Sequence, residues 1–256
     1  MSCCPTEERI KGAFSTAKTS KVGTGTTAKK VSTTIYVFVD EQEDGTIEVQ
    51  AVNENHVPTG PTTSITRDEL LADYFPDPEY YHKTMLPQMR ELAKQIAGGE
   101  RHLKNGQPFT AELNFQNALN LDEQNIRANF GIGLVYLRRE EKEKALEVLR
   151  RLVTLDAAFE KRHKHLFNEF GINLRKNGMY EQALDYYGRA LDFAKDDENL
   201  YFNIARTHIE RRDLGRAKEA LEQALAINPG FAEAKDYLAK LERGPSGLKL
   251  GIPSAS

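Results

Sequence analysis

The feature that most constrains this chain is a spaced set of small and bulky residues that recurs about every 34 positions. Its clearest copy is Ala205, Ala217, Leu221 and Ala224, a pattern of small-x11-small-x3-bulky-x2-small. A second copy, 34 residues earlier, is Gly171, Ala183, Tyr187 and Ala190. Another 38 back lie Gly133, Ala145, Leu149 and Leu152, and 34 before those lie Gly99, Ala111, Phe115 and Ala118. Chance rarely keeps register through four copies, so the chain repeats one supersecondary unit.

Residues 199–229 show what that unit is. Tyr201, Ile204, Ala205 and His208 form one helical stripe, and Ala217, Leu221 and Ala224 form another at i, i+4 and i+7 spacing. The two are broken at residues 212–215 (Arg-Asp-Leu-Gly), and Pro229 stops the second. Small residues on facing stripes let the two backbones approach closely. One such hairpin cannot bury both apolar faces alone. It needs neighbours.

The register resembles the tetratricopeptide repeat (TPR), a helix-turn-helix in which these are the small and bulky positions. The resemblance implies a mostly α fold: a right-handed TPR solenoid of four helical hairpins, with repeats at about 92–125, 126–159, 164–197 and 198–231. Some positions depart from the family pattern. Its first bulky position is Phe167 and Tyr201 but Asn129 in the second copy, and its first aliphatic position is Gly98 in the first. The family proline survives only as Pro229. A last helix over 232–243, with Ala234, Leu238 and Leu241 inward, is expected to cap the array.

Outside the repeats the period changes. Ile35, Val37 and Val39 alternate with Tyr36 and Phe38, and Ile47, Val49 and Ala51 alternate again after a turn at Gly45. This predicts a β-hairpin, with a third short strand near 62–66 and a short helix over 67–75 capped near Thr66. Both faces of the first strand are apolar, so each needs cover. The small module, placed at 32–78, is expected to pack on the first helix of a solenoid spanning 79–243. That helix runs over about 78–104, carries Tyr80, Tyr81, Met85, Met89, Leu92 and Ile96, and should kink or divide at Pro87. Residues 1–31, rich in Ser, Thr, Lys and Gly, and the tail 244–256 are expected to be disordered.

Composition narrows the function. A hydrophobic fraction of 39%, a charged fraction of 29% and a net charge of −3 describe a chain with much exposed helix, and argue against nucleic acid as the main partner. No apolar run is long enough to span a bilayer. The start of the chain lacks an apolar core of the secretory kind. The only cysteines, Cys3 and Cys4, are adjacent and cannot form an ordinary staple. These features place the chain in the cytoplasm.

Chemical motifs are missing. Residues 23–30 (Gly-Thr-Gly-Thr-Thr-Ala-Lys-Lys) look like a phosphate loop but lack a glycine before Lys29, and a strand follows. Neither a nucleophile elbow nor a His-Glu-x-x-His is present. The chain is therefore read as no enzyme, with no cofactor. His165 and Glu169 stand i, i+4 and would share a metal only with a third ligand; an ordinary ionic pair is the plainer reading. An enzyme or metal protein using His163, His165 and Glu169 is a minor alternative.

What remains is a surface. By the resemblance, the first helix of each hairpin lines a concave groove. The groove positions here are Arg127, Phe130, Leu134 and Leu137; His165, Asn168, Ile172 and Arg175; and Asn199, Phe202, Arg206 and Ile209. No acid stands among them. They suit a protein or peptide ligand that is acidic with apolar anchors, although Phe130, Ile172 and Phe202 would also serve simply as packing between hairpins. The family's carboxylate clamp for chaperone termini is excluded, because its register here reads Asn168, Ile172 and Asn203. The leading function is a non-enzymatic adaptor. The alternative is a homodimer formed through the N-terminal module and the helix carrying Tyr80 to Ile96.

Overall fold

The computed structural model describes residues 9–22, 29–159 and 163–243. Cys3, Cys4, most of the 23–30 stretch and the 244–256 tail lie outside the described residues. The chain divides into two compact units, which meet in sequence at Asn129 and Phe130.

The first unit holds a five-stranded antiparallel sheet in the order β4-β3-β2-β1-β5. Its strands are β1 (Lys11–Val22), β2 (Lys29–Glu41), β3 (Ile47–Val52), β4 (Pro58–Ile65) and β5 (Phe75–Pro76). The expected hairpin is β2–β3, and Gly45 at φ 82° makes its turn. The expectation of disorder over 1–31 is corrected for Lys11–Val22 and for 29–31, because β1 pairs with β2 along its whole length; residues 1–8 and 23–28 lie outside the described residues. The polar composition hid a strand whose Ala13 is buried and whose Phe14 packs on the core. Its Thr and Val residues also suit a pleated surface.

Over Tyr36 to Val39 both faces of β2 are covered, as their apolar composition requires. Val37 and Val39 join Ile47, Val49 and Leu70 of helix α1 (Arg67–Asp73). Thr66 caps α1 through a reciprocal pair with Glu69. Phe38, on the other face, packs with Ala13, Met85, Tyr80, Tyr81 and Met89, and the Tyr36 ring stacks on Tyr80 at 3.9 Å. The helix expected over 78–104 is a short α2 (Pro78–Tyr80), a π turn (Tyr81–Met85) and α3 (Leu86–Lys104). Pro87 has no N–H to give and its ring crowds the preceding turn, so the wide turn lies just ahead of it. The aromatic and Met residues proposed for a homodimer are used here, inside the unit.

Helix α4 (Pro108–Leu121) returns along α3. A Cβ on Gly99 would lie 2.7 Å from the Phe115 ring, so only glycine fits there. The sheet also closes the end of α4. Asn53 Nδ2 donates to the Leu121 carbonyl at 2.8 Å and Asn55 Nδ2 to the Asn120 carbonyl at 2.9 Å, satisfying acceptors that a helix end leaves open.

The second unit begins within α5 (Ile126–Arg138) and continues through α6 (Lys142–Thr154), α7 (Lys164–Lys176), α8 (Tyr180–Phe193), α9 (Glu198–Glu210), α10 (Leu214–Ile227) and the cap α11 (Ala232–Glu242). The small and bulky positions form the helix seams. Ala145, Leu152, Ala183, Tyr187, Ala190, Ala217, Leu221 and Ala224 are all essentially inaccessible. The turns share the register too: Gly106, Glu140, Gly178 and Arg212 each take positive φ, between 60° and 73°. The four residues inserted between the second and third copies do not lengthen α7, which has 13 residues, as does α9. Asp156–Phe159 instead forms a 3-10 turn that drives Phe159 in among Phe167, Tyr186 and Phe193.

Candidate protein-binding surface

The groove positions separate into three groups once burial is known. The first group is core. Phe130 is fully buried and meets Phe170 edge-on at 5.8 Å, and Leu134, Leu137 and Ile209 are at most 9% exposed. These positions offer a ligand nothing, which corrects the groove assignment for α5. The reason is legible afterwards: residues 130–137 (Phe-Gly-Ile-Gly-Leu-Val-Tyr-Leu) carry no charge, and a helix apolar on every side belongs inside.

The second group is neutralised. Arg127 is held by Glu100 of α3 in a forked pair, with Nε to Oε1 at 3.1 Å and Nη2 to Oε2 at 2.8 Å. Arg175, 3% exposed, is paired through Nη1 with Glu210 one repeat on. The acid-free groove read from the register is thus corrected. Glu210 stands one position outside the register used to pick the groove, and Glu100 stands at a groove position of the first copy, which was not among the three copies used, so neither acid was counted.

The third group remains available, on α7 and α9. His165 and Asn199 are exposed, while Asn168, Ile172, Phe202 and Arg206 are half-buried. Phe202 leans on the cap, 5.0 Å from Phe231 and 5.4 Å from Tyr237, and Arg206 holds its guanidinium 5.8 Å from the Phe202 ring centre. Among the described residues Arg206 makes no ion pair. Behind this face lies Tyr187, whose hydroxyl burial holds well above its ordinary pKa although Arg175 and Arg206 pull the other way.

Among the described residues His165 and Glu169 gain no third ligand. Among the described residues, no group of three or more His, Cys, Asp or Glu side chains is arranged to hold a metal ion. His208, which sequence reasoning placed on a packing stripe, is buried with Nδ1 3.8 Å from Asp213. Burial lowers its pKa, and Asp213 offsets this only in part. No helix among the described residues is long and apolar enough to cross a membrane.

Comparison with known proteins agrees with this architecture. Tetratricopeptide-repeat family models match residues 96–158 and 174–241, together just over half of the chain. Over 160 residues the chain is 25% identical to the TPR repeat-containing protein YpiA of Bacillus subtilis strain 168, covering 60% of this chain and 36% of that protein. It is 26% identical over 143 residues to anaphase-promoting complex subunit 3 of Schizosaccharomyces pombe, covering 56% and 21%. The chain therefore spans about a third and a fifth of these two relatives. Among solved structures, PilF of Pseudomonas aeruginosa superposes with a TM-score of 0.49 at 20% identity, covering 61% of this chain and 70% of that one. From the register, the helical hairpins and the matching models, the chain belongs to the tetratricopeptide-repeat family, whose members generally mediate contacts between proteins.

Proposed function

We propose that this protein is a non-enzymatic cytoplasmic adaptor that binds a segment of a partner protein on the α7/α9 face. The segment carries carboxylates and an apolar anchor. The observation that supports this most is Arg206: a half-exposed cation, without an acid partner among the described residues, stiffened over an aromatic ring. A guanidinium held this way is prepared for forked recognition of a carboxylate. Ile172 and the uncovered edge of Phe202 supply apolar contact, and Asn168, His165 and Asn199 supply polar groups for a peptide backbone.

A photo-reactive benzoylphenylalanine placed at position 172 tests the face directly. Illumination in extract from the protein's own cells should give a discrete covalent adduct. The same group at position 222, exposed on α10, should give none. Equal labelling at both positions, or at neither, would count against the assignment.

A further inference from the structure

The sheet of the first unit has an edge that the solenoid reading leaves unused. β1 pairs with β2 from Lys11 opposite Asp40 to Val22 opposite Lys29. On its other side β5 reaches only Phe14 and Ser15. β2 in turn pairs with β3 only over Val37 to Glu41. Residues 16–22 and 29–36 therefore form a two-stranded ribbon that, among the described residues, has no third strand on either side.

Two backbone hydrogen bonds fix which groups face the open edge. Asp77 N donates to the Ala13 carbonyl, and Glu41 N donates to the Ile10 carbonyl, both at 2.8 Å. The odd-numbered peptide groups of β1 thus face β5, and the even-numbered ones face β2. Because these groups alternate along a strand, the N–H and C=O of Ala17, Thr19 and Lys21 face the side where β5 has ended. Phe75, 65% exposed, stands at that end.

The charge of the ribbon selects an occupant. From Arg9 to Val39 the sequence contains Arg9, Lys11, Lys18, Lys21, Lys29 and Lys30 and no acid, in a chain whose net charge is −3. Lys11 is answered by Asp40 at 2.7 Å; the other four lysines sit at register positions of the ribbon. Lysines on an edge strand oppose pairing with a second copy of themselves. An incoming strand bearing acids would instead form favourable cross-strand pairs. Nucleic acid offers no partner for alternating amides and carbonyls, so a protein strand fits the edge better.

We propose that the edge of β1 over Ala17 to Lys21 accepts an extended acidic segment of a partner protein as an added strand, with Phe75 as apolar contact at its end. Main-chain pairing supplies the grip, and the net positive charge of the two strands' sequence supplies the choice. This site shares no residue with the α7/α9 face.

The test uses the full chain and a fluorescein-labelled peptide, acetyl-Glu-Val-Glu-Val-Glu-Val-amide, read by anisotropy at low and physiological salt. Binding is expected, with at least tenfold loss for the same peptide N-methylated at alternate amides and for its Lys-Val counterpart. Thr19→Pro removes an outward N–H without breaking a bond to β2, and should weaken binding at least tenfold with the β signal in circular dichroism retained. Should that variant misfold, Lys18→Glu with Lys21→Glu gives a second readout of the same loss. Because an acidic peptide with apolar residues also suits the α7/α9 face, Arg206→Glu is run in parallel: loss with Thr19→Pro and not with Arg206→Glu assigns the peptide to the β1 edge, whereas loss with Arg206→Glu alone assigns it to the α7/α9 face and overturns this proposal. Equal affinity for the N-methylated peptide, unchanged binding by the folded Thr19→Pro variant, or tighter binding of single-stranded oligothymidylate would each overturn it.

Discussion

Hairpins α7/α8 and α9/α10 share one register and fill it differently. In the first, Gly171 gives up its side chain so that the Tyr187 ring can lie against the backbone. In the second, Ala205 packs in one cluster with the smaller Leu221. The turn is made by Gly178 in one and by Arg212 in the other, at nearly the same φ of 73° and 63°. The buried position three residues after the seam residue is Leu174 in one and His208 in the other. What the repeat conserves is the space in the seam and the path of the turn. Close packing requires the sum of two neighbours to fit, and either one is free to vary if the other compensates.

The seam gives the largest expected effect. Gly171→Ala should destabilise the protein by about 2–3 kcal/mol, because the new methyl overlaps a fully buried ring. Adding Tyr187→Leu should recover more than half of that loss, since it recreates the α9/α10 pairing. A double-mutant cycle in denaturant measures the coupling, and additive losses would show that the two seams are not equivalent.

The turn should give less. Gly178→Ala is expected to cost about 1 kcal/mol, the penalty for a side chain in the left-handed region. Arg212→Gly should do the reverse by a somewhat smaller amount, because glycine also frees the unfolded chain. Opposite signs in paired melts would support the shared turn geometry; two losses would deny it.

The smallest effect is pH-dependent and confined to α9/α10. Burial holds the His208 pKa below its ordinary 6.5, so the unfolded chain takes up the proton first as pH falls. Stability associated with His208 is therefore intact above about pH 6.5 and declines below it. Amide exchange in α9 should accelerate between pH 7 and 5.5, after correction for intrinsic rates. His208→Leu, which copies Leu174, should flatten that change.

The same comparison shows what the sequence could disclose. The seams were legible because Gly and Ala at 34-residue spacing report directly on close helix contact, and the buried Ala183, Tyr187 and Ala217 fall where the spacing put them. Strand β1 was harder to see. Its Lys, Thr and Ser residues match the composition of an unfolded segment, and only Ala13 and Phe14 reveal a buried end. The face of α7 and α9 was legible as positions but not as chemistry. Burial of Phe130 follows from crowding by Phe170, and neutralisation of Arg175 follows from Glu210, a residue outside the groove register. Those outcomes depend on which side chains meet in three dimensions, and a repeat period carries no record of it.

On the proposed reading Arg206, a cation of the α7/α9 face with no ion pair among the described residues, holds the partner. Quantitative affinity capture with wild-type and Arg206→Glu baits, matched for helical circular dichroism, tests it most directly. One set of proteins should be depleted at least tenfold with the variant bait, and peptides derived from that set which bind the wild-type protein should be acidic. Identical capture by the two baits would contradict it.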